Sequence, residues 1–177
     1  MRRQVLTSLW VCLVLVAGSM GALRFAPTAY AQSGQGLLAP EDFGAWTVGC
    51  TRETIYGYVF CNTFHAMTLS DGAGDFAHFG VTRTVGSERV GLYVNSGFAP
   101  GSKIEISVDK SHSWTFDGTG NLALLASAAQ SKKIVDELLA GKTLHLKFIP
   151  SGSAQQEIEV SLATFPNALK RAREQAK

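Results

Sequence analysis

Residues 43–61 read FGAWTVGCTRETIYGYVFC. The stretch holds two β-prone runs: residues 45–49, which lead into Cys50, and residues 55–60, which end at Cys61. Valine, isoleucine, threonine and the aromatic residues suit a pleated, half-buried surface. Two cysteines with ten residues between them, at the ends of such runs, predict a disulfide stapling a hairpin or neighbouring strands. Oxidoreductase pairs are typically C-x-x-C at a helix start, where the thiolate is stabilised. Cys50 and Cys61 have neither that spacing nor a helix signal, so the bridge is read as structural. Trp46, Val48 and Cys50 alternate onto one face. That face puts the indole in the core, packed over the bridge.

Upstream of the staple, Arg2 and Arg3 precede an uncharged, mainly apolar run over residues 5–17, and Ala29-Tyr30-Ala31 follows. A positive start, an apolar centre and a small-residue site predict a secretory signal over residues 1–31, cut before Gln32. The run is shorter than the roughly 20 residues a spanning helix needs, so no stable membrane span is expected after cleavage. The precursor has 16 basic and 14 acidic residues. The leader takes Arg2, Arg3 and Arg24 and no acid, leaving 13 basic against 14 acidic residues. A nearly neutral chain has no field for phosphate backbones, which argues against nucleic-acid binding. Cys12 leaves with the leader, and an even pair in an exported domain is expected to be bridged. Residues 32–42, Gly/Gln/Ser-rich at their start, read as a flexible lead-in.

Downstream, residues 62–69 continue the second run, residues 70–75 (SDGAGD) form a turn, and strands are predicted over 76–85 and 90–94. Residues 95–102 (NSGFAPGS) are a Gly/Pro loop. Ile104, Ile106 and Val108 alternate with polar residues and mark one face of a half-buried strand. Residues 110–116 cross a turn into another strand, and Asp117-Gly118 is a hairpin-type dipeptide. Leu122, Leu124 and Leu125 lead into an Ala-rich stretch. Ile134, Val135, Leu138 and Leu139 then follow helical spacing, predicting a helix over 130–140 with Gly141 as a left-handed cap. Strands are predicted over 143–149 and 157–162, and the basic tail beyond Pro166 reads as a short frayed helix. Many short strands with one inserted helix predict a mainly all-β fold, an antiparallel β-sandwich or flattened barrel with a short C-terminal helix.

The four histidines (His65, His78, His112 and His145) show no ligand spacing, so no metal is expected. His145 alternates against Leu144 and Leu146 and is expected to face solvent. Residues 71–75 lack the repeated ligands of a calcium loop. Glu157 and Glu159 share a strand face without an apolar pocket that would make one of them an acid. No G-x-S-x-G, S-x-x-K or H-E-x-x-H motif occurs. No catalytic residue and no cofactor are therefore named, and the chain is expected to act by binding.

Phe43, Gly44, Trp46 and Cys50, a second cysteine at 61, Ala140-Gly141-Lys142 before a strand, Val160-Ser161-Leu162 near the end and then Phe165 carry a resemblance. The chain resembles the invasion-associated locus B family of exported bacterial proteins from residue 43 to about residue 169, with residues 170–177 left as a basic tail. Members often carry a second cysteine pair spaced C-x4-C before the helix; Phe116 and Asn121 stand at the corresponding positions here, and a turn at 116–118 is expected to close that hairpin unaided. The resemblance implies a periplasmic, envelope-associated or secreted protein associated with host-cell invasion. The function expected is docking of a protein partner, in the envelope or on a host cell, with Tyr56, Tyr58 and Phe98 as candidate contacts because aromatic residues are enriched in interface cores. An accessory or assembly factor for an envelope complex, a small-molecule carrier and a small hydrolase are the alternatives. The partner and the oligomeric state are not given by the sequence.

Overall fold

The computed structural model describes residues 36–53, 57–69, 74–84, 86–110, 112–124 and 127–176. In chain order the elements are β1 (Gly36–Leu37), β2 (Glu41–Phe43), β3 (Trp46–Arg52), β4 (Val59–Thr68), β5 (Phe76–Thr84), β6 (Ser87–Val94), β7 (Lys103–Val108), β8 (Ser113–Asp117), β9 (Leu122–Leu124), α1 (Ala128–Ala140), β10 (Thr143–Phe148), β11 (Gln156–Ser161) and α2 (Phe165–Gln175). A seven-stranded sheet runs β1-β3-β4-β5-β6-β9, with β2 beside β1 along the same edge of β3. A four-stranded sheet runs β11-β10-β7-β8. Every ladder is antiparallel. The two open sheets form a sandwich-like fold with helices filling what the smaller sheet does not cover.

The staple is built as its sequence predicts. Cys50 and Cys61 are direct cross-strand partners, bridged with their Cα atoms 4.1 Å apart. The first strand buries Trp46, Val48 and Cys50 and leaves Thr47 and Gly49 on the other side. The strand containing Cys61 begins only at Val59 and runs through the cysteine; residues 54–56 lie outside the described residues.

The core takes Trp46, Phe79 and Leu92 from the larger sheet and Ile104, Ile106, Leu144, Leu146 and Phe148 from the smaller one. Trp46 ties the layers together: its ring lies 4.7 Å from that of Phe165, and its Nε1 donates to the Ser161 carbonyl at 2.9 Å. A buried indole N–H needs such an acceptor. α1 starts two residues earlier than its periodicity suggests, because the Ser127 hydroxyl caps it by accepting from the Gln130 amide.

Five expectations are corrected. The lead-in is not loose near the sheet: Gly36 and Leu37 pair with Arg52 and Thr51, and Glu41–Phe43 pairs with Val48–Trp46, the edge being broken between them at Pro40. Residues 122–124 are the strand β9 rather than an approach to the helix. It pairs with β6, so the chain crosses between sheets after β8 and Asp117-Gly118 closes no hairpin. Gly118 is required instead by close packing, since a Cβ there would lie 2.8 Å from the Phe98 ring. Gly141 is extended, at φ −91° and ψ 178°, and serves for room: its Cβ would lie 2.0 Å from Val108. The tail is not frayed. α2 buries Phe165, Ala168, Leu169 and Ala172 at helical spacing, and Arg171 clasps Glu41 through two nitrogens.

Candidate functional site

An antiparallel sheet with one face on the core normally shows polar residues on the other. The outer face of the seven-stranded sheet breaks that rule. Alternation along β5 buries Ala77, Phe79 and Val81 and turns Phe76, His78 and Gly80 outward. β6 buries Leu92 and Val94 and turns out Gly91 and Tyr93. β4 contributes Asn62 and Phe64, and β9 points Leu122 and Leu124 outward while burying the small Ala123. Phe76 is 39% exposed and the two leucines 51% each.

These residues form one surface because the register aligns them. His78 pairs with Tyr93 and Gly80 with Gly91. The His78 ring stacks on Phe64 at 5.0 Å and lies 5.2 Å from Phe76 and 6.2 Å from Tyr93. Burial among these rings holds the imidazole pKa below its ordinary value. The paired glycines let the flanking side chains lie flat: a Cβ on Gly80 would come within 2.9 Å of Phe64, and one on Gly91 within 2.6 Å of Leu124. A shallow groove of about 270 Å³ runs here, lined by Asn62, Phe64, His78, Thr82, Tyr93 and Leu124 among others, with no aspartate, glutamate, lysine or arginine in its lining. Asn62 and Thr82 bond each other at 2.6 Å. Such a surface offers mainly apolar and aromatic contact, with the His78 imidazole as its titratable group.

The outer face of the smaller sheet is of the opposite character. Its depression of about 480 Å³ carries an exposed ion pair, Lys147 to Glu157 at 3.1 Å, and sets His145 Nδ1 3.1 Å from Glu159. His145 therefore lies on the solvent side of its strand, as its alternation predicts, and Glu157 and Glu159 face Lys147 and Lys110 respectively. The remaining histidines are dispersed. His65 lies 6.1 Å from Trp46 with Nδ1 against the Ala45 carbonyl, His78 is on the outer face, and His112 packs edge-on to Trp114. Among the described residues no three His, Cys, Asp or Glu side chains gather as metal ligands.

The contacts expected from sequence fare unequally. Phe98 is only 7% exposed; it packs edge-on against Phe148 and over Gly118, so it belongs to the core and is not offered to a partner. Tyr58 precedes β4 and is 39% exposed. Tyr56 lies outside the described residues, as does most of the 70–75 turn. Phe64, Phe76, His78, Tyr93, Leu122 and Leu124 were missed. Their signal is large apolar side chains at both alternating sets of positions, as in Phe76-Ala77-His78-Phe79, and large outside small in Leu122-Ala123-Leu124.

The chain matches the model of the family described as Invasion associated locus B (IalB) protein over residues 46–173. No curated protein matches it. The crystal structure of invasion associated protein b from Bartonella henselae shares the fold, with a TM-score of 0.53 at 20% identity over 77% of this chain and 96% of that one. No helix among the described residues is long and apolar enough to cross a membrane.

Proposed function

The chain belongs to the invasion associated locus B family, and from that premise we propose that it is an exported protein that works by binding a protein partner rather than by catalysis. The observation that carries the proposal is the aromatic outer face of the seven-stranded sheet. Contiguous exposed apolar surface on a soluble domain marks an interaction site, and departures from local patterning concentrate where function requires them. Tyrosine and phenylalanine supply rigid apolar area at small entropic cost, which suits them to interface cores. The groove has no carboxylate, lysine or arginine in its lining, and its volume of about 270 Å³ is small for a ligand pocket, which supports contact with a partner surface over hydrolysis or carriage.

The family's description supports a role in host-cell invasion, and the Cys50–Cys61 bridge is consistent with a location outside the cytoplasm. A deletion strain complemented by wild-type protein or by Tyr93→Ser/Leu124→Ser tests both. The expected result is impaired host-cell entry with normal growth in plain medium, restored by wild type and not by the variant. A growth defect in plain medium would favour an envelope-assembly role. Full rescue by the variant would remove the aromatic face from the account.

A further inference from the structure

We infer that β8 is the seam of a symmetric dimer of this chain. β8 is the outermost strand of the four-stranded sheet, and among the described residues nothing pairs with its outer side. An edge strand with free N–H and C=O groups is a template for another strand unless it is short, broken, charged or capped by proline. The other edges are protected in these ways: β9 has three residues, the β1–β2 edge is broken at Pro40, and β11 carries Glu157 and Glu159 and gives its Ser161 carbonyl to Trp46. β8 has five residues, no proline and no lysine, and its one charge, Asp117, is held by Lys103 of the neighbouring strand.

Its sequence, Ser113-Trp114-Thr115-Phe116-Asp117, is complementary to itself when reversed. A two-fold axis at Thr115 sets Thr115 against its own copy, Trp114 against Phe116 twice, and Asp117 against the Ser113 hydroxyl twice. Aromatic pairs, threonine pairs and hydroxyl–carboxylate pairs are favourable cross-strand neighbours. A two-fold at Asp117 opposes like charges, and one at Trp114 or Phe116 leaves part of the strand without a partner. Only the centre at Thr115 matches all five residues. Trp114 and Phe116 are half-buried, and they pack against the core from this edge while Ser113, Thr115 and Asp117 stay exposed. Trp114 is further positioned by donating Nε1 to Glu137 at 2.9 Å.

Pairing would join two four-stranded sheets into one of eight strands. The two-fold then stands perpendicular to that sheet, so both seven-stranded sheets lie on its same side and their aromatic faces point the same way. The dimer itself does not depend on the docking reading.

Sedimentation velocity on the exported protein reads the mass directly. A dimer is expected whose population rises with concentration. Thr115→Glu and Thr115→Lys, each placing like charges across the axis at an exposed position, are expected to give monomers that melt as the wild type does at concentrations too low for pairing, and mixing the two variants to restore a dimer. Cys50 and Cys61 are bridged, so Thr115→Cys carries the free thiol in the exported chain; it is expected to form an intermolecular disulfide on mild oxidation, and Lys133→Cys on α1 is not. A monomer at every concentration, a dimer that both charged variants leave intact, or cross-linking no faster at 115 than at 133 would overturn the assignment.

Discussion

His78 sits among three aromatic rings on the exposed face of the larger sheet, and burial there disfavours its charged form. Its folded-state pKa is depressed by burial below the value of about 6.5 that an unfolded histidine shows. Between the two values the unfolded chain binds the extra proton, so stability rises with pH there and is lost as pH falls. The stability of the wild type should accordingly drop on acidification from about 6.5, and His78→Gln should flatten that slope; denaturant midpoints across the range measure it, and equal slopes would refute the assignment. Trp46 acts at the same scale. Trp46→Phe removes the donor to the Ser161 carbonyl and leaves a gap, and a loss of roughly 1–3 kcal/mol is expected by chemical denaturation. The core role of Trp46 was legible because strand alternation and a nearby cysteine agreed. The role of Gly141 was not, because the helix-ending position of a glycine says nothing of Val108 lying against it from a distant strand. Gly141→Ala should cost about 1–3 kcal/mol through overpacking at an otherwise permitted backbone conformation.

At the scale of elements, α2 shows why the end of the chain was misread. Its stripe of Phe165, Ala168, Leu169 and Ala172 is amphipathic, but a short basic run at the end of the chain gives no sign in sequence of the surface it docks on. What makes the helix stable is the surface it meets, above all Trp46, with Glu41 and Glu88 receiving Arg171 and Arg173. Leu169→Ala is expected to destabilise the whole domain by about 2–5 kcal/mol, as for other buried leucines; a change confined to helix fraying would contradict the docked position. The β7, β10 and β11 strands were readable because each has one clean apolar face. β9 was not: two exposed leucines around a buried alanine invert the usual pattern. The same inversion hid the candidate site, since the rings on the outer face of β4, β5 and β6 look in sequence like surplus core.

For the whole molecule, the disulfide and the two-layer packing set the stability while the outer faces are left to differ in chemistry. Cys50→Ser should cost about 2–5 kcal/mol, the usual effect of losing a native bridge in a small exported domain; an unchanged melting temperature under reducing conditions would contradict it. The larger sheet keeps an uncharged aromatic groove and the smaller one a ladder of exposed ion pairs. The central claim is that the aromatic groove is where a protein partner docks. A photo-cross-linking residue placed at Leu124, and as a control at Lys133 on α1, tests it in the native cell. One discrete adduct at 124 that is abolished by Tyr93→Ser and absent from 133 is the predicted result; equal labelling at both positions, or none at 124, would contradict it.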